Sequence, residues 1–163
     1  MAILVSDPSV LIDLERGGLL EASFLCGLSM VVPDLLYETE LKGSNGAYLM
    51  QLGLAVTELN ADEVQLAQEI LNHRRALSPE DCFALACAHR PDHSLLAGDG
   101  PLRAEASARK VACNGLLWLL DQMLASGKVS AAVLCEGLTK ISNDRRCRLP
   151  KAELEKRLKT WCN

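Results

Sequence analysis

One local pattern occurs twice and limits what this chain can fold into. Near the N-terminus, Ala2-Ile3-Leu4-Val5-Ser6 is a short apolar run that halts at Asp7-Pro8. The apolar spacing then changes to a helical one, with Val10, Leu11 and Leu14 on one face and Pro8 in the first turn, where its missing N–H does no harm. Far along the chain, Ser94-Leu95-Leu96-Ala97-Gly98 stops at Asp99-Gly100-Pro101, and a helix is expected from Leu102 to about Arg109. Both corners put a carboxylate at the carboxyl end of a strand. Open α/β sheets bind their ligands at that edge.

The segments between repeat the alternation. Met30-Val31-Val32 reads as a strand ended by Pro33, and Asp34 to Lys42 as a helix carrying Glu38 and Glu40. Leu54 to Leu59 and Val111 to Cys113 read as further strands, and Leu19 to Leu28 and Tyr48 to Leu52 as short helices. Ser78-Pro79-Glu80-Asp81 opens a strongly apolar helix with the pattern of a capping box, so Asp81 has a structural role available beside any chemical one. Asp7 equally stands where a helix cap is common. Strands alternating with helices predict a three-layer α/β/α sandwich around a mainly parallel sheet, because parallel strands need crossover connections. This domain is expected over residues 1–125. Beyond Gly127, amphipathic helices over 131–141 and 151–161 form a C-terminal extension, residues 126–163, packed on the same domain or on a partner.

Composition closes several routes. The formal net charge of −4 excludes a wholly basic, sequence-blind nucleic-acid coat, and 4% aromatic residues are too few for extended base stacking. Trp118 and Trp161 lie on apolar helix faces and read as core or interface. The seven cysteines are scattered without a CxxC pair, which removes a zinc site and suits mostly buried thiols in a reducing cytosol. No apolar run approaches the roughly twenty residues of a membrane span, so a cytoplasmic location is expected.

In a parallel sheet all carboxyl ends face one edge, which gathers Asp7, Glu38 or Glu40, and Asp99, with Asp81 able to point into the same crevice. Carboxylates so placed either share protons or hold a cation. An oxygen-only set favours Mg²⁺ or Mn²⁺ over zinc, and the chemistry that follows is metal-assisted attack of water on a phosphodiester. Arg103, Lys42, the His73-Arg74-Arg75 end and the tail arginines Arg145, Arg146 and Arg148 are the cations available for phosphates.

The segments Asp7-Pro8-Ser9-Val10-Leu11-Ile12, Val32-Pro33-Asp34-Leu35-Leu36-Tyr37-Glu38-Thr39-Glu40-Leu41, Asp81-Cys82-Phe83-Ala84-Leu85-Ala86 and Gly98-Asp99-Gly100-Pro101-Leu102-Arg103 together resemble the PIN domain family. The resemblance covers about residues 3–125, and the tail with Arg148-Leu149-Pro150 also looks like that of some bacterial members. It implies a Mg²⁺- or Mn²⁺-dependent ribonuclease, and a VapC-type toxin neutralised by an antitoxin protein is a frequent form. It also implies Asp7, Asp81 and Asp99 as metal-site acids with Ser9 as a supporting hydroxyl, either Glu38 or Glu40 as a further acid, and a homodimer; Arg103, near the predicted cleft, is the residue expected to contact RNA. Gly98 stands where some members carry a second acid. Two alternatives stay open: a PIN-like binding module with little catalysis, and a phosphatase-like enzyme using Asp7 as nucleophile. The latter lacks the acid expected two residues on, where Ser9 stands.

Overall fold

In the computed structural model, which describes residues 2–163, five strands form one sheet. They are β1 (Ile3–Ser6), β2 (Ser29–Pro33), β3 (Ala55–Thr57), β4 (His93–Leu96) and β5 (Cys113–Asn114). The order is β3-β2-β1-β4-β5 and every pairing is parallel, with Val5 opposite both Val31 and Leu95. Helices cover both faces, giving the three-layer α/β/α arrangement. The central strands are buried on both sides, as all-parallel sheets require: Val5, Leu95 and Leu96 are each 0% exposed. Leu95→Ala in such a site costs about 2–5 kcal/mol.

Chain order runs outward from β1 to β3 on one side, and β4 and β5 lie on the other. The direction of winding therefore reverses between β1 and β4, and the connections leaving their carboxyl ends diverge to open a crevice. Asp7 and Asp99 follow those two strands. The helices that leave this edge are α1 (Pro8–Arg16) and α7 (Gly100–Ala108); α6 (Pro79–Ala88) packs against β1 and β4.

Several boundaries differ from the sequence pattern for identifiable reasons. The helix expected over 34–42 begins as α3 (Asp34–Leu36) but continues as a π-helical segment, Tyr37–Leu41, in which Lys42 N–H donates to Tyr37 C=O at 2.7 Å. Gly46, at the start of α4 (Gly46–Leu52), presses on it, since a Cβ there would fall 2.8 Å from the Leu41 carbonyl oxygen. The last strand begins at Cys113 instead of Val111 because α7 ends in a Schellman turn. Lys110 takes φ 58° and Val111 N–H donates to Ala106 C=O at 2.8 Å, which occupies Val111 in the cap. The second helix is confined to α2 (Leu20–Phe24).

The remaining helices are α5 (Ala61–His73), α8 (Leu116–Ala125), α9 (Ala131–Asn143) and α10 (Lys151–Trp161). Helix α9 lies against α1 through glycines: a Cβ on Gly137 would stand 2.5 Å from the Leu19 side chain and 2.9 Å from the Gly17 carbonyl oxygen. Helix α10 packs on α9, and Arg157 ties it to α8 through Asp121 at 2.7 Å. Cys135 and Cys162 form a disulfide between α9 and the end of α10, which corrects the expectation that the cysteines are buried thiols. The pairing spans 27 residues and depends on helix packing that no local spacing encodes. Cys82 and Cys87 are buried thiols, each pushed up to about 11 by desolvation, whereas Cys26, Cys113 and Cys147 are half-buried. Trp161 is buried, while Trp118 is only half-buried. Among the described residues no helix is long and apolar enough to cross a membrane.

Candidate active site

Asp7 extends the ladder before the chain turns into α1: its N–H donates to Leu96 C=O at 2.8 Å. It occupies the N-cap position with extended backbone, φ −73° and ψ 137°, yet its side chain makes no capping bond. The carboxylate accepts instead from the Ser9 hydroxyl, Oγ to Oδ2 2.6 Å. Burial raises the Asp7 carboxyl above the ordinary 3.8, the Ser9 hydrogen bond opposes that rise, and the charges of Asp81 and Asp99 add to it. Asp7 is therefore a partly desolvated acid with two like charges near it and no cationic partner among the described residues.

Asp99 and Asp81 are held differently. Asp99 caps α7 by accepting the Leu102 N–H on Oδ2 at 3.1 Å. Asp81 completes the capping box of α6, with Ser78 N–H donating to Asp81 Oδ2 at 3.1 Å and Asp81 N–H to Ser78 Oγ at 3.0 Å. In each, one oxygen serves the helix and Oδ1 has no protein partner among the described residues. Asp7, Ser9, Asp81 and Asp99 line one cleft of about 430 Å³.

The two glutamates separate. Glu38 is exposed and paired with Lys42 at 3.0 Å. Glu40 is also exposed, but its carboxyl is pushed up, first by partial desolvation and then by the charges of Asp7, Glu80 and Asp81. Neither lines the cleft itself. Glu80, in the first turn of α6, adds its charge to Glu40 and does not line the cleft.

The cleft also includes Asp13, Arg16, Arg146 and Arg148. For α1 the signal was available: Ser9, Ile12, Asp13 and Arg16 fall at i, i+3, i+4 and i+7, one helical face. Burial raises the Asp13 carboxyl despite Arg16, whose Nη1 donates to it at 3.2 Å. Arg146 grips Asp144 through Nε at 3.0 Å and Nη2 at 2.9 Å. Arg148 has no acid or hydrogen-bond partner for its side chain among the described residues. Arg103 lies outside this cleft, in a neighbouring one that shares Gly98, Arg148 and Leu149 with it.

Among the described residues no three His, Cys, Asp or Glu side chains make a ready-formed metal cage. The chemistry of the donors nonetheless suits a hard divalent cation. Asp7, Asp81 and Asp99 are oxygen donors facing one space, and the burial and mutual repulsion that raise the Asp7 carboxyl are relieved by a positive charge.

A doubly wound parallel sheet with acids at its switch point defines an α/β protein whose ligand site is expected at that edge. The family model DUF3368, described as a PIN domain, matches residues 3–162, and the chain belongs to the PIN domain family. PIN domains are generally nucleases that act on nucleic acid and generally use divalent metal ions. No curated protein and no solved structure matches the chain.

Proposed function

We propose that the protein is an endoribonuclease dependent on Mg²⁺ or Mn²⁺, with Asp7, Asp81 and Asp99 as the acids that hold the ion. The observation that carries this reading is the state of Asp7: desolvated, facing two other aspartates, and hydrogen-bonded by Ser9 with no cation beside it among the described residues. When bound, the ion supplies an activated water and neutralises charge building on the phosphodiester. Ser9 Oγ holds Asp7 Oδ2 and so fixes the carboxylate, leaving its other oxygen for the site. Asp81 and Asp99 have Oδ1 to offer, fixed in place by the caps their Oδ2 atoms make. Glu40 is the glutamate placed to add charge at the flank; Glu38 is occupied by Lys42. Arg103, one cleft away, is placed to meet a backbone phosphate.

The experiment is cleavage of single-stranded RNA by purified protein with Mg²⁺ or Mn²⁺, against the same reaction in EDTA and with Asp7→Asn. Cleavage that needs the ion, falling on the order of 10³-fold in the variant, is the expected result. Equal cleavage by Asp7→Asn contradicts the proposal.

Within this reading the protein acts in the cytoplasm as the toxin of a toxin-antitoxin pair, a frequent role for small bacterial PIN proteins, and works as a homodimer bound by an antitoxin protein. Induced expression then arrests growth, and Asp7→Asn relieves the arrest. One observation favours a second reading, a binding module with weak catalysis: Asp81 and Asp99 each spend an oxygen on a helix cap. Tight RNA binding without turnover at any divalent ion would select it.

A further inference from the structure

Beside the acid cleft lies a second one of about 490 Å³, between the carboxyl end of β5 and the Arg148-Leu149-Pro150 segment that leads into α10. The two share Gly98, Arg148 and Leu149, so they adjoin one another with Arg148 at the junction. Their charges are opposite in character. The acid cleft has four carboxylates against three guanidinium groups, two of which, Arg16 and Arg146, are already paired with acids. The second has three guanidinium groups against one carboxylate, Glu153. Arg157 is held by Asp121 and Glu153, which leaves Arg103 and Arg148 without an acid partner among the described residues.

Three further features point to a nucleotide. Arg103 Nη1 rests on the Ala97 carbonyl oxygen at 3.4 Å, and Gly115 leaves the room it needs, since a Cβ there would stand 2.9 Å from that nitrogen. Trp118, half-buried, contributes an aromatic surface to the cleft. Asn114 also lines it, with a side-chain amide that makes no hydrogen bond among the described residues and so keeps both donor and acceptor for a base edge.

We infer that this second cleft seats the nucleotide adjoining the cleaved linkage of a single RNA strand, its phosphate on Arg103 and Arg148 and its base against Trp118 and Asn114. The inference rests on the ribonuclease reading and adds to it a direction along which the strand leaves the acids. A polyanion cannot lie over carboxylates alone, and the unpaired cations lie on this side. A base stacks on an aromatic surface whatever its identity, and Asn114 adds a preference.

The test is binding of a fluorescein-labelled ten-nucleotide oligouridylate, followed by anisotropy in EDTA over a range of salt. Arg148 is exposed and unpaired, so Arg148→Ala is expected to keep the melting temperature of the parent. It should weaken binding about tenfold at low salt and flatten the log–log salt dependence by about 0.7. Oligonucleotide should quench the Trp118 emission of the parent, and Trp118→Phe should remove that quenching. If the parent cleaves RNA while Arg148→Ala and Asn114→Ala bind the oligonucleotide unchanged, the inference falls and the nuclease reading stands. If the parent neither binds nor cleaves RNA, both fall. Displacement of the oligonucleotide from Arg148 by a polyglutamate of equal charge at lower concentration would assign the cleft to an acidic polypeptide and overturn the inference.

Discussion

The corners after β1 and β4 have nearly the same sequence logic, an acid at a strand end with proline opening the helix, yet their acids are employed differently. At Asp99 the backbone carbonyl accepts from Arg103 N–H at 3.0 Å, one full helical turn away, which leaves Leu102 N–H free for the Asp99 side chain. At Asp7 the carbonyl accepts from Val10 N–H at 3.1 Å, so the equivalent donor is already satisfied and the carboxylate has no cap to make. One residue fewer between acid and proline thus separates a structural aspartate from one left to its neighbours. Asp81 sits with Asp99, as a member of a capping box. The lesson is that the same residue type at equivalent sheet edges carries different shares of stability and chemistry.

That contrast is open to direct attack. The largest effect should be on activity at Asp7, where Asn keeps the shape and removes the charge, as set out for RNA cleavage above. Next come Asp81→Ala and Asp99→Ala, which should lose activity and also about 1 kcal/mol of stability each through the missing cap, read as a lower denaturant midpoint. Asp7→Asn should show the opposite sign. In EDTA, an acid whose folded-state pKa lies above its unfolded value binds more protons when folded, so its charged form disfavours the fold. The handicap is absent well below pH 3.8 and grows as pH rises through the raised folded value. Asp7→Asn should therefore unfold at higher denaturant than the parent at pH 7 and match it near pH 3; a variant less stable at pH 7 would break the comparison.

Smaller effects sharpen it. Ser9→Ala removes the hydrogen bond that holds Asp7 down, so the acidic limb of the activity profile should move to higher pH, with roughly a tenfold loss of rate at neutral pH. Glu40→Gln should weaken divalent-cation binding, whereas Glu38→Gln breaks only an exposed pair with Lys42 and should change stability by less than about 1 kcal/mol and activity not at all.

The sheet and its acid edge were legible because Pro8, Pro33 and Pro101 mark where strands give way to helices, and because Ser78 with Asp81 spells a helix start. The three-layer architecture follows from that punctuation alone. What the residues did not disclose is set by packing across the fold. The π-helical segment Tyr37–Leu41, which carries Glu38 and Glu40, packs closely against Gly46, a contact that no local spacing encodes. Whether Asp7 caps its helix depends on which N–H the backbone carbonyl claims, which the general preference of Asp for N-cap positions does not reveal. The Cys135–Cys162 link and the place of Arg148 at the junction of two clefts both depend on how α9 and α10 fold back on the sheet domain, which their amphipathic pattern predicts only as a tendency to pack.

The proposed site needs Asp7, Asp81 and Asp99 to hold a hard divalent ion together. Calorimetric titration of Mn²⁺ into the parent protein and into Asp7→Asn tests it without reference to substrate. The expected result is binding by the parent that Asp7→Asn abolishes while its circular dichroism is unchanged. Equal binding by the two proteins, or none by the parent, would contradict it.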